Sequence, residues 1–193
     1  MKKGILPPPI VQDGDPVLRN IATPVKVADF NTSELNTILE QMKLALDKES
    51  DGVAIAAPQI GVPLRIFIVS RKAFAIEDHN EGEPSVITQK LPEKDMICIN
   101  PEIIKLSQKK VKVPEGCLSV RWLYGNTRRS EKATIRAYDE NGKPFTYGGS
   151  GLIAQIFQHE TDHLNGTLFI DHATEIEELT EEEITAIKSK NAS

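Results

Sequence analysis

The segment His159-Glu160-Thr161-Asp162-His163 constrains this chain more than any other. On a helix, residues four apart share a face, so both imidazoles can reach one ion while Glu160 lies beside an open coordination position. A hydrolytic ion needs that open position for water and a nearby carboxylate to take and return the proton. The flanking sequence agrees. Gly148-Gly149-Ser150-Gly151 opens a helix that runs to about Leu164 and closes at Asn165-Gly166. Leu152, Ile156, His159 and His163 fall on one face of it, so a metal-binding face continues into an apolar one suited to lining a pocket. A surface helix with two chance histidines is the bland alternative. It loses weight because the chain has 4 histidines and two stand at ligand spacing around a glutamate. The third protein ligand stays open at this point: Cys117, Cys98, His79, His172 and several carboxylates all qualify. Cys98 sits inside an apolar strand, where a buried thiol is the default, and His79 lies in a polar loop where it reads as solvent-facing.

Composition narrows the setting. The 193 residues suit a single domain spanning 1–193, with a core large enough to need no staples. A formal net charge of −5, with basic residues scattered, argues against a broad grip on nucleic acid. No stretch reads as a membrane span, and Gly4 to Pro9 is too short and proline-broken for a signal-peptide core. The 2 cysteines fit a reducing, cytoplasmic setting of bacterial type better than a disulfide, which leaves a thiolate available.

Periodicity places the other elements. A helix begins near Asn31 to Ser33 and buries Leu35, Ile38, Leu39, Met42, Ala45 and Leu46. Arg65 to Val69 and Met96 to Ile99 read as strands, and Ile103 to Val113 as one further strand region. Between the first two, Arg71 to Asp95 reads as a long polar loop. Ala133 to Tyr138 and Phe145 to Tyr147 flank Asp139-Glu140-Asn141-Gly142, a hairpin turn signal. Residues 175–193 form an acidic tail that reads as helical, capped at Thr180. Strands beside a few helices, without strict alternation, predict an α+β fold with mixed or antiparallel sheets around a central metal-binding helix.

Two further stretches stand out. Pro114-Glu115-Gly116-Cys117-Leu118-Ser119 places a thiol beside a glycine that lets the backbone come close to something. Gly52 to Gly61 is rich in small residues around a lone amide, Gln59; taken alone it reads as a tight connection with Gln59 on the surface.

In this order, Gly52 to Gln59, Glu115 to Ser119 and Gln158 to His163 resemble the three motifs of the peptide deformylases, G-x-G-x-A-A-x-Q, E-G-C-L-S and Q-H-E-x-D-H. Asp15 to Arg19 and Ile99 to Ile103 are also similar to that family, so the likeness covers nearly the whole chain. The resemblance implies a hydrolase that removes the formyl group from the N-terminal methionine of new polypeptides. It implies one divalent ion, natively Fe(II), with Zn, Ni or Co able to replace it. By position, Cys117, His159 and His163 become the ligands, Glu160 the acid/base, and the Gln59 amide with the Leu118 backbone N–H the oxyanion donors. Val53, Ala54, Val113, Glu115, Gly116, Leu152 and Ile156 fall where the family holds its substrate. Arg129 with Glu115 and Asp162 would form a network orienting the ligands. Partners implied are nascent formyl-Met chains near the ribosomal exit tunnel, met by a monomer. Three departures are visible: Ala54 replaces a glycine, Arg121-Trp122-Leu123-Tyr124 follows Val120 where a proline is common, and the Arg71 to Asp95 stretch is long. A metallopeptidase with a different third ligand, and a binding module that keeps the fold without the chemistry, are the competing readings.

Overall fold

In a computed structural model that describes residues 6–80 and 93–191, side chains of 77–80, 190 and 191 excepted, eight strands and four α-helices follow one another along the chain. In order they are α1 (Ser33–Asp47), β1 (Ala54–Ala56), β2 (Ile66–Val69), α2 (Arg71–Asn80), β3 (Met96–Leu106), β4 (Lys110–Gly116), β5 (Leu123–Ser130), β6 (Lys132–Tyr138), β7 (Pro144–Ser150), α3 (Gly151–Leu164), β8 (Thr174–Glu178) and α4 (Glu181–Asn191). Two antiparallel sheets result, one ordered β1-β2-β3-β6-β7 and the other β4-β5-β8. α3 packs against strands of both, which makes it the hub of an α+β fold.

The larger sheet is covered on both faces, and β2 shows why its sequence is apolar throughout. Ile66 and Ile68 pack with Leu35, Leu39 and Met42 of α1. Phe67 and Val69 pack on the other face with Ile153 and Phe157 of α3. Alternate residues therefore enter different cores, and a four-residue apolar run follows. Truncating fully buried Phe157 to alanine would cost about 3–5 kcal/mol through lost transfer energy and the cavity left behind. α1 starts where its cap predicts: the Thr32 hydroxyl accepts from the Leu35 N–H at 3.2 Å. Ile38 is only half-buried at the edge of the predicted stripe.

Three expectations change. Ile103 to Val113 is not one strand: β3 ends at Leu106 and β4 begins at Lys110, in different sheets. Ser107 makes this turn without glycine or proline, its hydroxyl donating to the Lys109 carbonyl and accepting from the Lys132 N–H. The Arg71 to Asp95 stretch opens as helix α2, with Ala73 and Phe74 buried. Its remainder at 81–92 and the side chain of His79 lie outside the described residues. The acidic tail is first strand and only then helix. β8 pairs Glu178 with Leu123 and Glu177 with Tyr124, and Thr180 then caps α4 through its hydroxyl and Glu183. The cysteines meet expectation: Cys98 and Cys117 are both free thiols, and Cys98 is fully buried, with burial raising its pKa well above the ordinary value.

Candidate metal centre and cleft

α3 brings His159 and His163 to the side facing the end of β4, and Gly116 ends that strand one residue before Cys117. The ligating atoms of Cys117, His159 and His163 all lie within 4.8 Å of one another. Cys117 Sγ stands 3.2 Å from His163 Nε2, and the imidazole centroids are 4.9 Å apart. Cys98 is in the apolar core, and His172 faces Asp162 at 3.4 Å instead of the group. One sulfur and two nitrogens converging in this way form a set able to hold a divalent transition metal.

Polar groups behind the set fix its orientation. His159 Nδ1 meets Glu115 Oε2 at 3.2 Å, which leaves Nε2 to face the thiol. Arg129 donates through Nε and one terminal nitrogen to both oxygens of Glu115, at 2.7 and 3.0 Å. Its other terminal nitrogen reaches Asp162 at 2.6 Å. Arg129 is 6 % exposed, so it is no surface residue. Gln158, on the opposite side of α3, accepts from the Ser130 N–H and donates to the Ser130 carbonyl, which stitches the helix to β5. Gln158 opens the third of the matched motifs, but the sequence analysis gave it no role.

The charge states follow from burial. Burial alone would raise the Glu115 carboxyl, but hydrogen bonds from His159 and Arg129 and their charges bring it down to about 2. Glu160 lacks such donors. Burial pushes it up to about 7, with His159 opposing and the carboxylates of Glu115 and Asp162 adding to the rise. Glu160 Oε2 and His163 Nδ1 are buried with no hydrogen-bond partner among the described residues. An unpartnered buried carboxylate oxygen beside three convergent donors is what a site for an ion and a water requires.

Gln59 is placed against the surface reading of its segment. It lies in a helical turn, Ala57–Ile60, closed by Gly61 in the left-handed region at φ 79, and is 1 % exposed. Its Oε1 accepts from the Ala56 N–H at 2.8 Å, and its Nε2 points to Ser119 Oγ at 3.2 Å and Cys117 Sγ at 3.5 Å. Ser119, fully buried, is a further site-side residue that the motif contained but the sequence analysis gave no role. The Leu118 peptide lies beside it, and the Ser119 N–H approaches the Cys117 sulfur at 3.4 Å.

In front of these groups is a cavity of about 210 Å³. Val53, Ala54, Glu115, Gly116, Leu152 and Ile156, six of the seven residues at the positions the likeness to the family marks for substrate, line it. Val113 does not: it is two residues further back along β4, half-buried and beyond the end of the cavity. The Ala54 methyl is buried with the larger core, within an extended strand that accommodates it. Trp122 and Tyr124 form part of the rim, the Tyr124 ring lying so close over Gly116 that a Cβ there would overlap it. β1 and β4 each pair with one strand only, so each turns an open edge toward the cleft among the described residues.

The profile of the family described as polypeptide deformylase matches residues 7–179. A peptide deformylase of Thermomicrobium roseum is 39% identical over 162 residues, covering 84% of this chain and 83% of that one. One of Bartonella quintana is 37% identical over 169 residues, covering 87% and 85%. Among solved structures, an actinonin-bound class I type b peptide deformylase of Acinetobacter baumannii superposes with a TM-score of 0.73 at 30% identity, covering 88% of this chain and 99% of that one. A peptide deformylase of Thermotoga maritima gives 0.71 at 30% identity, covering 87% and 98%.

Proposed function

This chain belongs to the polypeptide deformylase family and is a hydrolase that removes N-formyl groups from new polypeptides, and from that premise we propose a role for each residue of its site. Cys117, His159 and His163 hold one divalent ion, natively Fe(II), with Zn, Ni or Co able to take its place. A thiolate with two imidazoles suits both iron and zinc. The ion, when bound, supplies positive charge that polarises the formyl carbonyl and makes a water easier to deprotonate.

Glu160 takes the proton from the attacking water and delivers it to the departing amine. Its carboxyl is buried in the site with Oε2 free of any partner among the described residues, so it can take up and return the proton there. The Gln59 amide and the Leu118 N–H donate to the oxyanion as the formyl carbon becomes tetrahedral; losing one such donor typically costs about 10²–10³ in rate. Glu115, held by Arg129, fixes the His159 ring, and Asp162 holds the other side of the guanidinium. The methionine side chain enters between Val53, Leu152 and Ile156, while its backbone lies extended between the open edges at Ala54 and Gly116.

The convergence of Cys117 on the histidine pair carries this reading, because it supplies the third donor that a metallopeptidase would take from elsewhere. Protein loaded with iron under exclusion of oxygen should release formate from formyl-Met peptides, and Cys117→Ala should lose both metal and activity. Retained metal in that variant would overturn the ligand set. We further place the protein in the bacterial-type cytoplasm, as a monomer meeting nascent chains near the ribosomal exit. The absence of a long apolar helix among the described residues is compatible with this.

A further inference from the structure

The stretch after Val120, where the family commonly has proline, contains a clamp across the cleft. Arg121 donates from Nη1 to Asp51 Oδ2 at 2.7 Å, and from Nη2 to Glu49 Oε2 at 2.7 Å and Asp51 Oδ1 at 3.3 Å. Its side chain is 15% exposed, and its guanidinium lies 4.5 Å from the Trp122 ring centroid, which holds the planar fork in one orientation. Asp51 and Glu49 belong to the turn that leads into β1, whose open edge forms one wall of the cleft. Arg121 belongs to the segment that continues from Gly116 to Leu118 on the opposite wall. The clamp therefore joins the two walls directly.

Both abutments are firm. On one side the Gly52 N–H donates to the Glu49 carbonyl, and a Cβ at Gly52 would press on Leu46 and Glu49, so the turn is tight. On the other, the Trp122 carbonyl accepts from the Leu179 N–H, and Leu123 and Tyr124 are paired with β8. The acidic tail thus braces the arginine's wall from behind. A bidentate, part-buried ion pair between two braced segments fixes their separation.

We infer that Arg121, gripped by Glu49 and Asp51, is a positioning residue that sets the spacing of the β1 and β4 edges and thereby the hold on the peptide backbone beyond the first residue. This rests on the reading of the cleft as a seat for an extended formyl peptide. A substrate with no residues past methionine gains little from that spacing. A tripeptide that must pair with both edges gains much.

The test compares formyl-Met with formyl-Met-Ala-Ser on iron-loaded wild type, Arg121→Gln, Asp51→Asn and the double variant. Arg121→Gln should raise KM for the tripeptide about tenfold, an amount typical of a good coupled pair. KM for formyl-Met and kcat for both substrates should stay within about twofold, a change too small to signify a lost transition-state contact. The double variant should be no worse than Arg121→Gln alone, and added salt should raise the tripeptide KM of wild type only. Equal KM changes on both substrates, additive effects, or a loss confined to kcat would overturn the inference. If Arg121→Gln fails to fold, Asp51→Asn alone still decides by its ratio between the two substrates. Absence of formate release by wild type from either substrate would instead undo the reading of the cleft on which the inference rests.

Discussion

Two arginines in this fold each grip two carboxylates at closely similar distances, yet one grip is behind the metal centre and the other spans the mouth of the cleft. Arg129 is joined to Glu115 and Asp162 with side-chain exposures of 8%, 2% and 29%. Arg121 is joined to Asp51 and Glu49 at 15%, 26% and 23%. The inner fork satisfies a carboxylate that is only 2% exposed, and that carboxylate in turn holds His159. The outer fork holds carboxylates that can still be hydrated. Depth therefore separates their consequences: removing the inner arginine strands a charge, and removing the outer one frees two chain segments.

The largest effect should come from breaking the inner grip on one side only. Arg129→Met leaves Glu115 buried and charged without its fork, and unfolding in urea should show a loss of about 3–5 kcal/mol. The same change at Arg121 should cost within about 1 kcal/mol, because its partners reach solvent. Equal losses at the two sites would dissolve the comparison. Next in size is Glu115 itself. Its carboxyl is held at about 2 against an ordinary 4.5, so in metal-stripped protein it contributes roughly 3 kcal/mol at neutral pH. A depressed pKa stabilises the fold above the unfolded value, and that contribution is lost as pH falls from about 4.5 toward 2. Urea unfolding of stripped wild type and Glu115→Gln should therefore differ at pH 6 and converge across that window; a constant gap would show that His159 and Arg129 together do not hold the carboxylate down. Metal affinity of the variant should drop about 10–100-fold, as for other lost partners of a ligating histidine.

The histidine pair with Glu160 was legible in the sequence itself, the Arg129 network only through the likeness to the family, and the outer clamp not at all, for a physical reason. His159, His163 and Glu160 share one helix, where spacing dictates a common face, and Cys117 with Glu115 stands in a short segment whose residue types are themselves informative. Arg121 finds Asp51 and Glu49 across some 70 residues of chain, and nothing local in either segment names the other. The surface reading of Gln59 from its own segment failed in the same way, since its burial depends on Ser119 and Cys117 from the other wall, and only the likeness to the family put it in the site. Among the elements, β8 was hidden because glutamate is depleted in strands. Pairing with β5 overrides that preference, helped by Lys112 and Asn126 on Glu175. The end of β3 was hidden because a serine side chain, not glycine or proline, makes its turn.

A third arginine sets the lower bound on what such geometry is worth. Arg136 Nη2 reaches Glu102 Oε2 at 2.6 Å, as short as the Arg129 contact to Asp162, but the two side chains are 60% and 61% exposed. They sit opposite each other on β6 and β3 in the larger sheet. Water solvates both charges in the folded and the unfolded chain, and holding two long side chains together costs rotamer freedom, so little net stabilisation survives. Arg136→Gln should change unfolding stability by less than about 0.5 kcal/mol, and 0.5 M salt should erase even that. A loss approaching that of Arg129→Met would mean that distance, not depth, governs these pairs. Along Arg129, Arg121 and Arg136 donor type and shortest separation are nearly constant while burial falls, and the step from Arg129 to Arg121, which each hold two carboxylates, is the one that tests burial alone.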